Sequence, residues 1–127
     1  MEFIESQNAP AAIGPYSQAV KANGLIYTSG QIPLTPAGEL VEREIKTQTR
    51  QVLENLKNLL EDAKSSMDRV IKVTIYLENM DDFAVVNVLY AEAFGDHKPV
   101  RSTVAVRTLP KNVLVEMDAI ALPYDYC

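Results

Sequence analysis

"DRVIKVTIYL" (Asp68–Leu77) decides how the rest of the chain is read. Val, Ile, Thr and Tyr favour an extended, pleated backbone, and side chains two apart share one face of a strand. Ile71, Val73, Ile75 and Leu77 fall on one face, while Val70, Lys72, Thr74 and Tyr76 fall on the other. The second face is still half apolar, so both sides of this strand are expected to be covered, one of them only in part.

The neighbouring segments supply the cover. From Arg43 to Ala63, residues Ile45, Val52, Leu53, Leu56, Leu59, Leu60 and Ala63 recur at three- and four-residue steps. That spacing predicts one face of an amphipathic helix of about five to six turns. Downstream, Asp81 is placed to cap a second helix. Phe83, Val86, Tyr90 and Phe94 form its buried stripe and Gly95 ends it. "RSTVAVR" (Arg101–Arg107) and "VLVEMDAIAL" (Val113–Leu122) read as two closing strands joined by a turn at Leu109–Asn112. Upstream, "GLIYTSGQI" (Gly24–Ile32) reads as a strand, and Pro36 with Gly38 as the turn after it. The order is strands, helix, strand, helix, strands. It predicts an α+β sandwich, two helices on one face of a mixed sheet, with residues 1–127 forming a single domain.

Composition narrows the partners. Of 127 residues, 47% are hydrophobic and 23% charged, the balance of a folded globular chain. No apolar run approaches the roughly 18–20 residues that span a bilayer. Residues 1–12 carry two glutamates and no Lys or Arg, unlike a signal or transit peptide. Net charge is −5, and Lys98, Arg101 and Arg107 are scattered rather than a stripe, which disfavours a nucleic-acid partner. With one histidine, His97, and one cysteine, Cys127, a His/Cys metal site is not expected. His97 reads as a surface residue and Cys127 as an exposed tail thiol.

Several polar residues ask for more than a fold explains. "GPYSQAV" (Gly14–Val20) sets Tyr16, Ser17 and Gln18 directly after a Gly-Pro turn. In "YTSGQ" (Tyr27–Gln31) a strand ends on small hydroxyls and Gly30, which allows a ligand or another backbone to come close. The alternative there is an ordinary strand exit. In "KPVRST" (Lys98–Thr103), Arg101 and Thr103 share one strand face. The planar fork of an arginine at a strand start suits a carboxylate, the alternative being a surface arginine in a weak ion pair. Glu116 shares its face with Leu114, Ile120 and Leu122. Desolvated there, it would exchange protons near neutrality; on a solvated edge it would not.

Taken in order, "APAAIGPYSQAV", "YTSGQIP", "VIKVTIYL", "FAVVNVLYAEAF", "KPVRSTVAV" and "LPKNVLVEMDAIA" resemble the YjgF/RidA family of reactive-intermediate deaminases over about residues 9–122. The resemblance implies a chorismate-mutase-like α+β fold, a homotrimer with active sites between subunits, and no metal or organic cofactor. It implies hydrolysis of 2-imino acids (2-iminobutanoate, 2-iminopropanoate) to 2-oxo acids and ammonia, which protects pyridoxal-phosphate enzymes. Under it Arg101 clamps the substrate carboxylate with help from the Thr103 amide, and Glu116 activates water a few ångströms deeper. Tyr16 and Ser29 line the cleft, Gly30 admits the substrate, and Asn87 and Tyr90 play supporting parts. The cytosol is the compartment this implies first, the mitochondrial matrix second. Members are also described as ligand-binding or chaperone-like trimers and as translation inhibitors or ribonucleases. Two departures stand out. Thr103 occupies a place where many bacterial members carry cysteine, and "DAKSS" (Asp62–Ser66) lacks the glycine usual after the first helix.

Overall fold

The computed structural model describes residues 1–126, so Cys127 lies outside the described residues. Six strands, β1 (Glu2–Ile4), β2 (Ala19–Ala22), β3 (Leu25–Thr28), β4 (Val70–Leu77), β5 (Val100–Ala105) and β6 (Val115–Ala121), form one sheet. Their order is β1-β2-β3-β6-β4-β5. Every neighbouring pair is antiparallel except β4 with β5, which run parallel because a helix returns the chain between them. Two helices, α1 (Ile45–Asp62) and α2 (Phe83–Phe94), pack on one face, as the α+β reading expects.

The core lies between that face and the helices. Ile26, Val73, Ile75, Leu77, Val115, Met117 and Ala119 project from the sheet. Val52, Leu56, Leu59 and Leu60 of α1 and Val86 and Phe94 of α2 meet them. Leu56 and Leu59 are fully buried, so truncating either to alanine costs about 2–5 kcal/mol. Among the described residues no helix covers the opposite sheet face. Tyr27, Ile71, Val100 and Val104 stand exposed there.

β4 departs from strict alternation at its start. Val70 pairs with Ala121 but Lys72 pairs with Ile120, so Ile71 is an extra residue in the ladder. The bulge turns Val70 into the core and leaves Ile71 exposed, reversing the expected faces at these two positions.

Side chains and turns set the helix ends. Glu44 begins α1, its carboxylate accepting from the amides of Lys46 at 2.8 Å and Thr47 at 3.0 Å. Those bonds, Lys46 first, hold its pKa below the usual value. At the exit Lys64 adopts φ +64°, while the Lys64 amide reaches Glu61 O at 3.0 Å and the Ser65 amide reaches Leu60 O at 2.8 Å. The left-handed exit usually made by glycine is therefore kept, with lysine bearing its strain. Before α2 the cap is Asn79, whose side chain accepts from the Asp81 amide at 2.9 Å. A 3₁₀ turn over Met80–Asp82 moves the first free amides upstream of the expected Asp81 cap. Among the described residues no helix is long and apolar enough to cross a membrane.

Candidate active site

Arg101 stands on β5, a strand bonded on one side only, where its register partner is Val73. That pairing points its side chain to the helix face, under α2. Its guanidinium donates to Asn87 Oδ1 at 2.7 Å and lies 4.8 Å from the centre of the Tyr90 ring and 5.3 Å from that of Phe83. Burial raises the Tyr90 phenol pKa, with Arg101 opposing it. Among the described residues Arg101 makes no salt bridge. A neutral amide oxygen and two aromatic faces thus orient the fork and leave its charge for an outside anion. The simple surface ion pair that the sequence allowed is not what forms.

The backbone beside it is also open. The Val106 amide donates to Leu77 O at 2.8 Å. By the two-residue alternation of a parallel ladder, the amides of Arg101 and Thr103 then face the unpaired edge. A cavity of about 450 Å³ adjoins Arg101, walled by Asn87, Tyr90, Ala91, Phe94 and His97 among others. His97 is not a free surface residue. Its Nε2 lies 2.7 Å from Val70 O, which makes that nitrogen the protonated one and ties the loop before β5 to the start of β4.

Glu116 is built by a different device. Tyr27 pairs with Ile120, yet Gln31 pairs with Met117, so Thr28–Gly30 contain one residue more than the facing stretch of β6. Thr28 Oγ1 replaces a ladder carbonyl by accepting the Ala119 amide at 3.0 Å. Gln31 and Met117 then exchange amide bonds of 2.7 and 3.1 Å. The bulge brings the Gly30 backbone over Glu116. A Cβ at Gly30 would lie 2.0 Å from Glu116 Oε2, so only glycine leaves the carboxylate where it is. Ser29 is held by its own bonds, Oγ donating to Ser17 O at 2.5 Å and its amide to Gln18 O at 2.8 Å.

Two carboxyls on this face, Glu116 and Asp118, have raised pKa values. Burial, then the nearby Asp118 carboxylate, raises the Glu116 pKa. Burial likewise raises that of Asp118, against the pull of a 3.1 Å hydrogen bond from Tyr76 Oη and of Lys72. Of the two settings that the sequence left open for Glu116, the half-buried one forms.

One chain does not bring Arg101 and Glu116 together. Arg101 shares the helix face with Val73 and Ala119, whereas Glu116 shares the bare face with Tyr76 and Val104. Two strand spacings and three residues of rise separate them by about 14 Å of sheet. No route from Arg101 a few ångströms deeper to Glu116 exists within a single subunit. Tyr16 is apart from both. Its amide donates to Gly14 O at 2.9 Å, its Oη accepts from the Ile13 amide at 3.3 Å, and the side chain is 53% exposed.

Gln18, the third polar residue of that motif, is buried. It accepts from the Ser6 amide at 2.7 Å and donates to the carbonyls of Ser6 and Pro10 at 3.1 and 2.8 Å. It fastens the segment after β1 to β2, a task that nothing in the local pattern announces. Asn87 orients Arg101, a supporting part, and the β5 register is what shows that Arg101 is its partner.

A mixed sheet with two helices on one face, a bulged glycine against a sheet carboxylate and an edge-strand arginine oriented by an amide and two rings compose a small α+β domain with a candidate site. The sequence model described as Endoribonuclease L-PSP matches residues 6–123, and the chain belongs to this family, the YjgF/RidA family. A RutC family protein of Pyrococcus horikoshii is 56% identical over 121 residues, which cover 94% of this chain and 96% of that protein. The crystal structure of yeast Mmf1, a protein whose full name includes "mitochondrial", superposes with a TM-score of 0.93 at 45% identity, over 95% of this chain and 97% of that one. The structure of Escherichia coli TdcF with bound serine matches with a TM-score of 0.91 at 41% identity, over 96% and 98% of the two chains.

Proposed function

We propose that this protein hydrolyses 2-imino acids to 2-oxo acids and ammonia in a homotrimer whose sites pair Arg101 of one copy with Glu116 of another. The observation that carries this reading is Arg101, an oriented guanidinium that has no carboxylate partner among the described residues. Serine in TdcF, like a 2-imino acid, has a carboxylate next to a carbon bearing nitrogen. The opposed faces of Arg101 and Glu116, and the uncovered apolar residues of the sheet, support a site completed by a second copy.

In this mechanism the carboxylate forms two charge-assisted bonds to Arg101 and a third to the Thr103 amide. Glu116 takes a proton from water as its oxygen bonds to C2 of the iminium. The proton then passes to nitrogen, and Glu116 takes the proton of the new hydroxyl as the C–N bond breaks; ammonia leaves as the 2-oxo acid forms and carries that second proton away as ammonium. The iminium carbon is already electrophilic, so orientation and a single carboxyl relaying protons suffice. Ser29 and Tyr16 border the site. RNA cleavage, the activity in the family's description, would lack a basic stripe for phosphate on a chain of charge −5.

The test is release of 2-oxo acid from freshly generated 2-iminopropanoate. Arg101→Ala should lose about 100-fold or more, the worth of a two-bond charged contact. Mixing unfolded Arg101→Ala and Glu116→Gln chains and refolding them together should restore about a quarter of the sites, by random pairing across a shared interface. Buffer-level hydrolysis by the wild type would end the deaminase reading. Failure of the mixture alone would end the shared site.

A further inference from the structure

α2 is apolar nearly all round. Glu92 is its one charged residue among twelve, and such a helix is normally covered on every side. Here its outer side is open. Met80, just before the helix, and Val88 are 43% and 58% exposed, and Ala84 and Ala91 are exposed between and beyond them. These positions step by four, four and three, so they form one stripe. Beside it runs a groove of about 460 Å³ between the helices, bordered by Lys46 and Arg50 of α1 and by Ala84, Val85, Val88 and Glu92 of α2. Lys46 and Arg50 make no salt bridge among the described residues.

We propose that this surface docks the same surface of a second copy, with the two α2 helices antiparallel. The charge pattern supports that occupant over an unrelated helix, because it complements itself when reversed. Val88 is central, Ala84 lies four residues before it and Glu92 four after. On a twofold axis through Val88, Ala84 comes level with Glu92 of the second copy and Val85 with Ala91, so each Glu92 crosses a small residue to reach the groove bordered by Lys46 and Arg50 of the other. Small residues on either side of Val88 let the helix axes approach to the short end of the usual 8–10 Å. The two Val88 side chains pack against each other at the axis and give a four-helix layer. This contact is separate from the bare sheet face, so it joins assemblies rather than building the shared site.

One stripe covers less than the roughly 1,200 Å² of a stable interface, so association is expected only at tens of micromolar or above. Sedimentation velocity of the full chain over a concentration series tests it. For the wild type, the weight-average mass should climb with concentration above that of the dilute species, and less so in high salt. Val88→Asp, at an exposed position, should remove the climb while leaving the dilute species and 2-iminopropanoate hydrolysis unchanged. Glu92→Lys, or Lys46→Glu with Arg50→Glu, should weaken association several-fold, and the three changes combined should restore it. The same concentration dependence in wild type and Val88→Asp, including none in either, overturns the docking. A triple variant that stays weak overturns the antiparallel pairing.

Discussion

Gly30→Ala isolates what the bulge does for Glu116. The added Cβ would lie 2.0 Å from Oε2, 2.8 Å from Cδ and 3.2 Å from Cγ of Glu116. Contact at about 3.5 Å is the comfortable limit for such atoms, so the carboxylate must retreat by about 1.5 Å. Gly30 is not among the residues with positive φ, so alanine meets no backbone strain of its own. The retreat is a rotation about Glu116 χ angles, costing about 0.5–1.5 kcal/mol. Loss of glycine's freedom in the unfolded chain returns about 0.4–1 kcal/mol. Stability should therefore change by less than about 1 kcal/mol. Turnover should not be spared, because misplacing a reacting group by an ångström costs about 100-fold, or about 2.7 kcal/mol of barrier. The assays are 2-oxo acid release from 2-iminopropanoate and denaturant unfolding on the same preparation. The expected outcome is a fall in kcat with the unfolding midpoint nearly unmoved. A variant that folds normally and keeps wild-type kcat would refute the placement of Glu116 at the reacting carbon.

Four other outcomes are expected. Asp118→Asn removes a negative charge that raises the Glu116 pKa, so the acid limb of the kcat/KM profile should move to lower pH; an unmoved limb excludes Glu116 as the titrating base. Burial raises both carboxyls above the unfolded value of about 4, so the folded chain binds these protons more tightly. Their contribution to stability is whole in acid and is lost as pH climbs through the folded pKa values. Glu116→Gln should accordingly raise Tm relative to wild type at pH 8 but not at pH 4. Lys64→Gly relieves the left-handed exit of α1 and should stabilise by about 0.5–1 kcal/mol, read as a shifted midpoint at constant m. Gln18→Ala leaves the Ser6 amide and two carbonyls without their partner and should cost about 2–3 kcal/mol in the same assay.

Periodicity made most of the fold legible. The steps of three and four from Ile45 to Leu60 and the alternation from Val73 to Leu77 each describe a burial pattern that survives in three dimensions. It fails at Val70 and Ile71, because a bulge is a relation between two strands and periodicity describes one strand at a time. The Asp81 cap failed for a local reason, the 3₁₀ turn in front of α2. Site residues were legible as types: a forked cation at a strand start and a carboxylate among apolar neighbours. Their arrangement was not. Residues 101 and 116 land on opposite faces only once β4 is known to lie between β5 and β6. His97 and Gln18 escaped because their partners, Val70 and Ser6, lie 27 and 12 residues away.

The way Gln18 is bonded has a consequence for how the chain survives cutting. Its amide and carbonyl groups grip residues 6–10 as a covalent cross-link might, and β1 is paired with β2 just beyond. Ile13–Tyr16, by contrast, are exposed and among the described residues are held by the short Gly14–Tyr16 turn and the Ile13–Tyr16 contact. Protease should enter between those residues and leave the N-terminal piece in place, so the nicked protein would migrate as one particle and part only in denaturant. In hydrogen exchange the same loop would be fully deuterated while Ser6 and Ala19, on either side of the clasp, still hold protons.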